Sequence, residues 1–414
     1  MNIGIIGSGV AGLTLCYLLG NEGHKITLIE KNNRLGGHTN TYEIKSGEDS
    51  GLKIDTGFIV FNDKNYPYFI NLLNNLDVKY ENSDMSFSFW DVSTNKGYSG
   101  KNLFGLIPAN IFDLQNYKLI ANIIIYTKKF KYFYDHQMLN DDSLLEHFTK
   151  YKYPDDVVNK YFLPLASAIW SNSKSGIENW NANFFAEFYL NHGLLQFTNR
   201  PKWKYVVNGG SVYVNKIIEI IQPKVILNTK VNELKINDSI NVITDQSQYD
   251  LDVVFIATHA DQATEILRNR FVKEYGILST WNYSKNNIYL HKDTRLLPPK
   301  KRYWASWNYM DINNDTDKIS ISYNMNFLNK LNTNNTYIVS LNPFLEPKKD
   351  KILYRTLYEH PVYDKNSLKT QVNLRKLNGK NNIFFAGSYF GNGFHEDAVR
   401  SAFQSYNDFK NKGN

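Results

Sequence analysis

A glycine turn near the start of the chain constrains the fold more than any other feature of the sequence. The apolar stretch Ile3–Ile6 predicts a short strand and runs directly into Gly7-Ser8-Gly9-Val10-Ala11-Gly12, after which apolar spacing predicts a helix. Phosphate binds at such a helix start, on free backbone N–H groups and the positive end of the helix dipole. The first glycine permits the turn, the second leaves room for phosphate, and the third lets helix and strand pack closely. The segment therefore predicts a site for the pyrophosphate of a dinucleotide.

An acidic residue after the second predicted strand indicates which dinucleotide is expected. Glu30 follows the strand Lys25–Ile29, near the ~20-residue offset from the first glycine that is usual for the carboxylate on a ribose hydroxyl. A carboxylate repels the extra phosphate of NADP, so FAD or NAD is expected. The cofactor contacts predicted from these two strands are Gly7, Gly9, Val10, Ala11, Gly12, Glu30 and Lys31.

The residues after Glu30 favour FAD over NAD. They read Arg34-Leu35-Gly36-Gly37-His38-Thr39, an arginine followed by a glycine doublet. A doublet without side chains lets the backbone approach a phosphate or a flat ring, and an arginine offers forked donors to an anion. The pattern resembles the extended nucleotide motif of the amine oxidase and phytoene desaturase superfamily of flavoproteins. That resemblance implies FAD contacts at Arg34, Gly36, Gly37, His38 and Thr39.

The same resemblance implies FAD contacts in the middle of the chain. Thr56 and Gly57 match a segment whose backbone runs beside the flavin ring. Val231 matches a strand that meets the adenine through its backbone. Thr258 and His259 follow an apolar stretch that is typical of a buried parallel strand.

A glycine-rich turn near the C-terminus resembles the closing flavin motif of the superfamily. A predicted strand leads to Gly387, and the later run Gly391–Ala398 opens the last helix. The resemblance implies that this helix points its N-terminus at the flavin pyrimidine ring, beside Phe394. Backbone N–H groups near His395 and Glu396 would stabilise the negative charge of a reduced flavin.

The flavin motifs lie in three separate parts of the chain, which predicts two interleaved domains. The expected fold class is α/β, with a Rossmann-like FAD-binding domain made of a parallel sheet and a β-meander. An amine-oxidase-like α+β substrate domain is interleaved with it. We predict the FAD-binding domain over residues 1–84, 200–264 and 375–414, and the substrate domain over residues 85–199 (largely helical) and 265–374 (strands).

The composition argues against several kinds of site. The single cysteine, Cys16, lies inside the first predicted helix, so it predicts an inert buried thiol and no disulfide framework. No spacing of His, Cys or acidic residues matches a metal motif, and no metal is expected. The formal charge of +7 favours anions in general, but no nucleic-acid motif accompanies it, and no nucleic-acid partner is expected.

One lysine-rich helix leaves the relation to membranes open. Neither a spanning apolar run nor a cleavable leader pattern is present, so a cytoplasmic location is expected. Ile120, Ile123, Ile124 and Thr127 are predicted on one helix face, and the opposite face is rich in lysine, at Lys118, Lys128, Lys129 and Lys131. That polar face is either solvated or in peripheral contact with the inner face of a membrane.

Longer stretches resemble one subfamily, the NAD/FAD-binding oxidoreductases associated with cyclopropane fatty acid synthases. The stretches are IDTGFIVFN, PLASAIWS, NHGLLQ, FIATHADQA, WASWNY and FAGSYFGNGFHED. The resemblance implies a small-molecule or lipid substrate and a functional link to a cyclopropane fatty acid synthase-like methyltransferase. The expected reaction moves a hydride from a C–H (or C–N) bond of an apolar, fatty acyl substrate to flavin N5, as a desaturase, dehydrogenase or isomerase does.

Five residues are the candidates for direct contact with the substrate. His259 and His395 follow strands or turns of the nucleotide domain, where ligands bind in such sheets. Phe394 matches an aromatic position beside the flavin. Trp304 and Trp307 belong to an aromatic patch that faces either the substrate or the core.

Two other functions remain open. A flavin amine oxidase, which produces an imine and hydrogen peroxide, needs aromatic rings around the amine and a lysine near N5, for which Lys285 and Lys292 are candidates. A flavin-binding subunit without catalysis is the other alternative. The chain has no second G-x-G-x-x-G for a nicotinamide, so no built-in NADPH site is expected. Arg200 and Arg302 are candidates for binding a carboxylate or phosphate head group.

Overall fold

Strand β1 (Asn2–Ile6) lies at the centre of a five-stranded parallel sheet in this computed structural model, which describes residues 1–170, 174–196, 200–267, 276–312 and 319–412. Its residues Ile3 and Ile5 are buried, and so are all four residues of the neighbouring strand, Val253–Ile256. This is expected for strands covered on both faces. In spatial order the strands are β10 (Lys224–Ile226), β2 (Lys25–Ile29), β1, β14 (Val253–Ile256) and β20 (Ile383–Phe385).

Helices pack closely on this sheet because small residues lie at the contacts. A Cβ on Gly12 would collide with the carbonyl oxygen of Gly7, and a Cβ on Gly20 would collide with the side chain of Ile221. Cys16 is buried, and burial raises the pKa of its thiol to about 12. The helices of this half are α1 (Val10–Asn21), α2 (Pro67–Asn75), α10 (Ser211–Ile221), α11 (Ala260–Leu267) and α14 (His395–Lys412).

The predicted meander is present and begins after β10. Residues 224–226 form β10 and pair in parallel with β2, so they belong to the parallel sheet. The antiparallel meander follows as β11 (Val231–Ile236), β12 (Ile240–Thr244) and β13 (Gln248–Leu251). Its middle strand pairs with both neighbours.

A seven-stranded sheet joins the two parts of the predicted substrate domain. All neighbouring strands are antiparallel except β16 and β7, which are parallel, so a hairpin from the first part is added to strands of the second. In spatial order the strands are β19 (Ile352–Val362), β15 (Asn282–His291), β18 (Ile338–Leu341), β17 (Ile321–Asn324), β16 (Trp307–Asp311), β7 (Phe87–Asp91) and β8 (Lys96–Ser99).

The helical part of the substrate domain has an aromatic core. The ring of Phe130 contacts the rings of Phe148, Phe162 and Phe185, with centroids 5.7–6.0 Å apart. A π-helical turn, Val158–Phe162, joins two of the helices. These helices are α3 (Leu103–Leu106), α4 (Leu114–Asp135), α5 (Leu144–Lys150), α6 (Asp155–Val157), α7 (Leu163–Trp170), α8 (Lys174–Glu178) and α9 (Ala182–Asn191).

Helix α4 differs from the sequence prediction on its outer face. Its buried positions recur every three or four residues, at Asn116, Leu119, Ile123, Thr127, Phe130 and Phe133. Ile124 was predicted on the apolar inner face but is 41% exposed, because one residue turns the helix by about 100°. Ile125 and Tyr132 are also exposed, so the outer face is apolar as well as basic.

Short strands and helices complete the predicted FAD-binding and substrate domains. The carboxylate of Asp55, the last residue of β4 (Lys53–Asp55), accepts hydrogen bonds from the backbone N–H of Gly210 (2.9 Å) and the hydroxyl of Thr41 (2.6 Å), so it anchors the glycine doublet Gly209-Gly210. These elements are β3 (Thr41–Glu43), β4 (Lys53–Asp55), β5 (Phe61–Asn62), β6 (Tyr80–Asn82), β9 (Trp203–Val206), α12 (Met325–Leu328) and α13 (Lys365–Leu374).

Two sequence-based expectations stay predictions. The domain boundaries are consistent with the element order but are not tested by it, and residue 199 lies outside the described residues. The cytoplasmic location is equally untested. Among the described helices, none combines the length and the apolar character that crossing a bilayer requires.

Candidate functional site

One cavity of about 980 Å³ is lined by all three parts of the predicted FAD-binding domain and by the substrate domain. This volume lies at the upper end of the ~300–1,000 Å³ typical of ligand pockets. Most of the predicted cofactor residues line it: Gly7, Gly9, Val10, Ala11, Glu30, Lys31, Arg34, Gly36, Gly37, His38, Thr56, Gly57, Val231, Thr258, Gly387, Phe394 and His395. Three others do not: Gly12, Thr39 and Glu396. The cavity therefore brings together most of the residues predicted to contact a dinucleotide.

The glycine turn leaves open space at its middle position. A Cβ built on Gly9 meets no heavy atom within 4 Å, whereas Gly12 is packed against the turn itself. Gly7 has a φ of +95°, which favours glycine. Gly9 is also the N-cap residue of α1. Because it has no side chain, no capping side chain occupies the first N–H groups of the helix. The turn has the form that a pyrophosphate requires.

Glu30 is buried and already holds the glycine turn. One carboxylate oxygen accepts hydrogen bonds from the Ser8 backbone N–H (2.9 Å) and hydroxyl (2.6 Å). The other oxygen accepts from the backbone N–H (2.9 Å) and side-chain amide (2.7 Å) of Asn32. A ribose hydroxyl that binds here exchanges with one of these side-chain donors, because a carboxylate has about four acceptor positions.

Arg34 has a different role from the one predicted. Its guanidinium donates to the carbonyl oxygens of Gly37 (2.7 Å), Thr39 (3.2 Å) and Leu35 (3.3 Å). The sequence suggested that these donors bind an anion. Instead they hold the turn that carries the glycine doublet, and a contact between Arg34 and a phosphate stays a prediction.

The start of α14 lies at the opposite end of the predicted cofactor path. The His395 ring stacks on Phe58 with centroids 3.6 Å apart, and its Nε2 lies 2.9 Å from the Tyr213 hydroxyl. Burial holds the pKa of His395 well below its usual range, so the ring is neutral. The backbone N–H groups of His395 and Glu396 have no hydrogen-bond acceptor among the described residues. These two donors fit the predicted contact with the flavin pyrimidine.

The Glu396 side chain serves another helix. Its two carboxylate oxygens accept hydrogen bonds from the backbone N–H groups of Tyr68 and Phe69, each at 2.9 Å. These N–H groups belong to the first turn of α2, which has no side-chain cap of its own. The sequence predicted Glu396 only as part of the flavin contact, and its side chain instead fastens the C-terminal helix to α2.

Three histidines that are distant in the sequence meet along one wall of the cavity. The ring of His38 lies 6.1 Å from that of His259 and 5.3 Å from that of His360. Burial, and then their mutual proximity, lower the pKa of His259 and of His360 to about 3. His259 Nδ1 lies 3.7 Å from a Glu359 oxygen, and the two side chains are exposed to the same extent. The ring is neutral because desolvation and the nearby His38 and Lys31 lower its pKa.

His38 leaves one polar atom without a protein partner. Its Nε2 is buried and has no hydrogen-bond partner among the described residues, and burial lowers its pKa to about 4. A buried polar atom of this kind needs a ligand or water. Within the described part of the chain, no group of three or more His, Cys, Asp or Glu residues could hold a metal ion.

A second part of the cavity lining, contributed mainly by α7, α9 and the seven-stranded sheet, is mostly aliphatic and aromatic. Trp307 and Phe394, two of the candidate substrate contacts, line this part. Trp304 does not line the cavity, and its indole N–H donates to the Pro298 carbonyl (2.7 Å). We call this region the substrate half, defined by Met85, Ser86, Phe87, Leu165, Ile169, Phe188, His192, Leu194, Ile288, Trp307, Tyr323, Val339, Leu341 and Phe394. We call the other part the nucleotide half. It consists of the lining residues from the glycine turn to His38, those around Val231 and Thr258, and Glu359 and His360.

Charge is confined to the nucleotide half. The described charged residues that line the cavity are Glu30, Lys31, Arg34, Lys230, Glu265 and Glu359. The four cations that the sequence offered for substrate binding lie outside the lining. Lys285 pairs with Glu359 from the exposed side (3.9 Å), and Lys292 lies over Tyr337. Arg200 and Arg302 donate to the carbonyl oxygens of Gln196 and Pro108.

His192 is a cavity residue to which the sequence assigned no role. Its Nδ1 lies 2.9 Å from the Phe188 carbonyl oxygen, which only accepts, so Nδ1 carries the proton and Nε2 keeps a free lone pair. The ring stacks on Phe188 with centroids 3.8 Å apart, and burial lowers its pKa to about 4. A histidine in an apolar helical stretch carries no sequence signal that separates a core residue from a cavity residue.

A known protein family matches the N-terminal part of the chain. Residues 5–76 match the NAD(P)-binding Rossmann-like domain. An L-amino-acid oxidase of Siganus canaliculatus is 30% identical over 120 residues, which is 24% of this chain and 23% of that protein. An L-amino-acid oxidase of Bungarus fasciatus is 44% identical over 53 residues, 13% of this chain and 10% of that protein. The chain thus matches less than a quarter of the length of these oxidases.

Comparison with solved structures covers nearly the whole chain. Cyclohexylamine oxidase from Brevibacterium oxydans aligns with a TM-score of 0.71 and 12% identity, over 100% of this chain and 99% of that one. A CLA-producing fatty acid isomerase from P. acnes aligns with a TM-score of 0.68 and 12% identity, over 99% of this chain and 98% of that one. These structures confirm the predicted fold class. The matched oxidases also agree with the predicted enzyme class, an oxidoreductase, and with FAD as the predicted cofactor.

Proposed function

We propose that this chain, which has the amine-oxidase-like fold of an FAD-binding superfamily, is an FAD-dependent oxidoreductase that acts on a C–H bond of an uncharged acyl chain. The observation that carries the proposal is the lining of the substrate half. Apart from Ser86 and His192, its described residues are aliphatic and aromatic, and the six charged lining residues all belong to the nucleotide half. A charged substrate group buried there would lack a partner, which is costly in an apolar environment.

The residues that would hold FAD are spread over the nucleotide half. The open space at Gly9 and the first N–H groups of α1 suit the pyrophosphate. The unpartnered Nε2 of His38 suits a polar group of the cofactor, and the free N–H groups at the start of α14 suit the flavin pyrimidine. When bound, FAD supplies the acceptor for a hydride.

The protein's contribution in the substrate half is to position an acyl chain and exclude water. Leu165 and Ile169 of α7 approach from one side, and Ile288 and Leu341 of the seven-stranded sheet also line the space. Apolar walls strengthen electrostatic interactions at the reacting carbon because they keep water out. A held chain also presents one carbon repeatedly in the same orientation, which lowers the entropic part of the barrier.

His192 is the residue we assign to proton transfer. Desaturation of two neighbouring carbons releases a hydride from one and a proton from the other, and a new C=C bond forms from the remaining electron pair. The Nε2 lone pair of His192 is available for that proton, since Nδ1–H is held by the Phe188 carbonyl. Burial lowers the pKa of the ring to about 4, so the ring is unprotonated at pH 7 and its lone pair is available, although only weakly basic.

An amine substrate is less well supported. An ammonium group needs a carboxylate or an aromatic enclosure, and no carboxylate lies in the substrate half among the described residues. Lys285 and Lys292, the candidates for a lysine near the flavin, lie outside the cavity. The fatty acid isomerase and cyclohexylamine oxidase have the same fold, so the fold itself does not distinguish these two substrate classes.

Anaerobic reaction with lipids and amines tests the proposal. Purified protein loaded with FAD is mixed without oxygen with unsaturated phospholipid, or with putrescine, cyclohexylamine and L-amino acids. We expect phospholipid to bleach the flavin absorbance or to yield acyl chains with new or shifted double bonds, analysed by mass spectrometry. Bleaching by amines alone would favour the amine oxidase, and a yellow protein inert to both would favour a non-catalytic subunit; either result contradicts the proposal.

Two substitutions locate the reaction in the substrate half. Ile169→Asp introduces a carboxylate among apolar walls and should slow reaction with phospholipid by at least about tenfold while FAD remains bound. Ile169→Leu is the matched control and should keep the rate. His192→Phe preserves the stacking on Phe188 and should slow the acyl reaction without changing the FAD content. Unchanged rates in both Ile169→Asp and His192→Phe would contradict these assignments.

A further inference from the structure

Large apolar side chains are concentrated on the outside of the helical region. Five of them lie within twelve residues of each other, on α3, the following loop and the start of α4: Leu103 (80% exposed), Phe104 (70%), Ile111 (60%), Phe112 (80%) and Leu114 (77%). Monomeric soluble proteins rarely expose such contiguous apolar groups unless they contact a partner or a membrane.

The outer face of α4 continues this apolar surface. Ile124, Ile125 and Tyr132 are 41–56% exposed, and helical geometry brings them to the same side as Leu114. Lys118 and Lys128 lie on the same side and are exposed. An outer face of apolar residues interspersed with lysines is typical of helices that lie in the interface of a bilayer.

A second basic segment borders the apolar loop. Lys300, Lys301 and Arg302 are exposed, and the Arg302 guanidinium donates to the Pro108 carbonyl (3.1 Å). The neighbouring Tyr303 hydroxyl donates to the Ile107 carbonyl (2.8 Å), so this segment is fixed to the loop before Ile111. The acidic residue in the loop, Asp113, is neutralised by Lys96 at 2.8 Å. The charge around the apolar side chains is therefore positive.

We propose that residues 103–132 together with Lys300, Lys301 and Arg302 form a docking surface for an anionic lipid bilayer. The apolar side chains enter the headgroup region and the cations contact lipid phosphates. A second copy of the chain is a poorer occupant, because a symmetric dimer through this surface would bring two positively charged surfaces together. The proposal concerns where the protein is located and holds whatever its substrate is.

The docking surface is structurally connected to the cavity. The inner face of α4 packs on α9 through Phe130 and Phe185, whose ring centroids lie 5.8 Å apart. Phe188, one turn further along α9, lines the substrate half of the cavity. A bilayer at the docking surface would thus lie two helices away from the space we assign to an acyl chain.

Vesicle flotation of the FAD-loaded protein tests the docking surface. The wild-type protein should float with phosphatidylglycerol/phosphatidylcholine vesicles, and less with phosphatidylcholine alone, and 0.5 M salt should weaken the binding because it screens charge. The doubly substituted Phe104→Ser/Phe112→Ser and Lys118→Glu/Lys128→Glu proteins should each lose at least about tenfold in bound fraction.

A matched control lies on α13, away from this surface. Val372 is 77% exposed and Lys369 is exposed, so Val372→Ser/Lys369→Glu makes the same kinds of change elsewhere and should float like the wild type. Equal FAD content and melting temperature in all four proteins would exclude misfolding. The proposal is overturned if the wild type does not float, if the surface variants float as well as the control, or if sedimentation shows a dimer that Phe112→Ser dissociates.

Discussion

The two halves of the cavity are built in different ways. The nucleotide half uses backbone: two glycine-rich segments approach so closely that a Cβ on Gly37 would lie 3.0 Å from the Gly9 Cα. The substrate half uses side chains that are contributed by α7, α9 and the seven-stranded sheet. A backbone site tolerates almost no change in shape, whereas a wall of apolar side chains can be rebuilt for another substrate while the fold is kept.

Substitution of Gly9 should give the largest effect and separates the two halves most clearly. Gly9→Val should weaken FAD binding by about a thousandfold or more, because its side chain occupies the phosphate position. The melting temperature of the FAD-free protein should be unchanged, because a Cβ at this position meets no protein atom within 4 Å. Flavin fluorescence titration and thermal unfolding measure the two quantities.

Gly12→Val is the contrasting variant for that experiment. Its side chain would collide with the Gly7 carbonyl, so it should reduce the yield of folded protein as well as the FAD content. If Gly9→Val also unfolds the protein, the open space at Gly9 does not serve the cofactor.

Acidification should destabilise the nucleotide half through its buried histidines. An unfolded histidine gains its proton below its ordinary pKa of about 6.5, whereas His259 and His360 stay neutral in the folded protein down to about pH 3. The unfolded chain then binds more protons, so the free energy of unfolding falls as the pH falls from about 6.5 toward 4. Each such histidine contributes up to about 1.4 kcal/mol per pH unit.

The difference between a variant and the wild type isolates this contribution. Burial raises the pKa of Asp55 and of Glu396 to about 7, and these acids oppose the histidines over the same pH range. Because the acids are present in both proteins, His360→Gln should reduce the slope of unfolding free energy against pH by about 1 kcal/mol per unit. An unchanged slope in urea unfolding at pH 5–6.5 would show that His360 is not held neutral.

Substitution of Glu30 should have a smaller effect, which is limited to FAD binding in the nucleotide half. Glu30→Gln keeps the shape of the side chain but loses charge-assisted hydrogen bonds to Ser8 and Asn32. FAD binding should weaken about 10- to 100-fold, as expected for hydrogen bonds to a charged group worth about 1.5–3 kcal/mol. The KM for substrate, measured with saturating FAD, should not change. A changed KM with normal FAD affinity would mean that the halves are coupled.

Substitution of Trp307, in the substrate half, should give the smallest effect. Its indole Nε1 is buried without a hydrogen-bond partner among the described residues, and its ring lines the cavity. If this N–H donates to a carbonyl of the substrate, Trp307→Phe should raise KM about tenfold, the value of one net hydrogen bond. FAD affinity should stay as in the wild type. An unaltered KM would assign the indole to packing alone.

The sequence predicted the nucleotide half well because its requirements are local. Gly7, Gly9 and Glu30 lie within one strand–helix–strand unit, where each residue's role follows from its neighbours. The role of Glu396 could not be predicted in this way, since its carboxylate caps a helix 328 residues earlier in the chain. The wall formed by His38, His259 and His360 was missed for the same reason, because only the tertiary fold brings these rings together.

The substrate half was harder to predict because burial does not distinguish core from cavity in a sequence. Trp304 and Trp307 lie three residues apart in one aromatic stretch, yet only the second lines the cavity. Ile124 is predicted on the inner face of α4 from its helical spacing to Ile120 and Thr127, but it is exposed. Apolar periodicity identifies a helix face only where the opposite face is polar, and α4 is apolar on both.

The order of strands has a consequence for biosynthesis. Strand β20, at the edge of the parallel sheet, and α14, which packs on α1, follow the glycine turn by more than three hundred residues. During translation, the glycine turn is therefore made long before the elements that complete its sheet. We expect the cofactor to bind only after this later segment has been made.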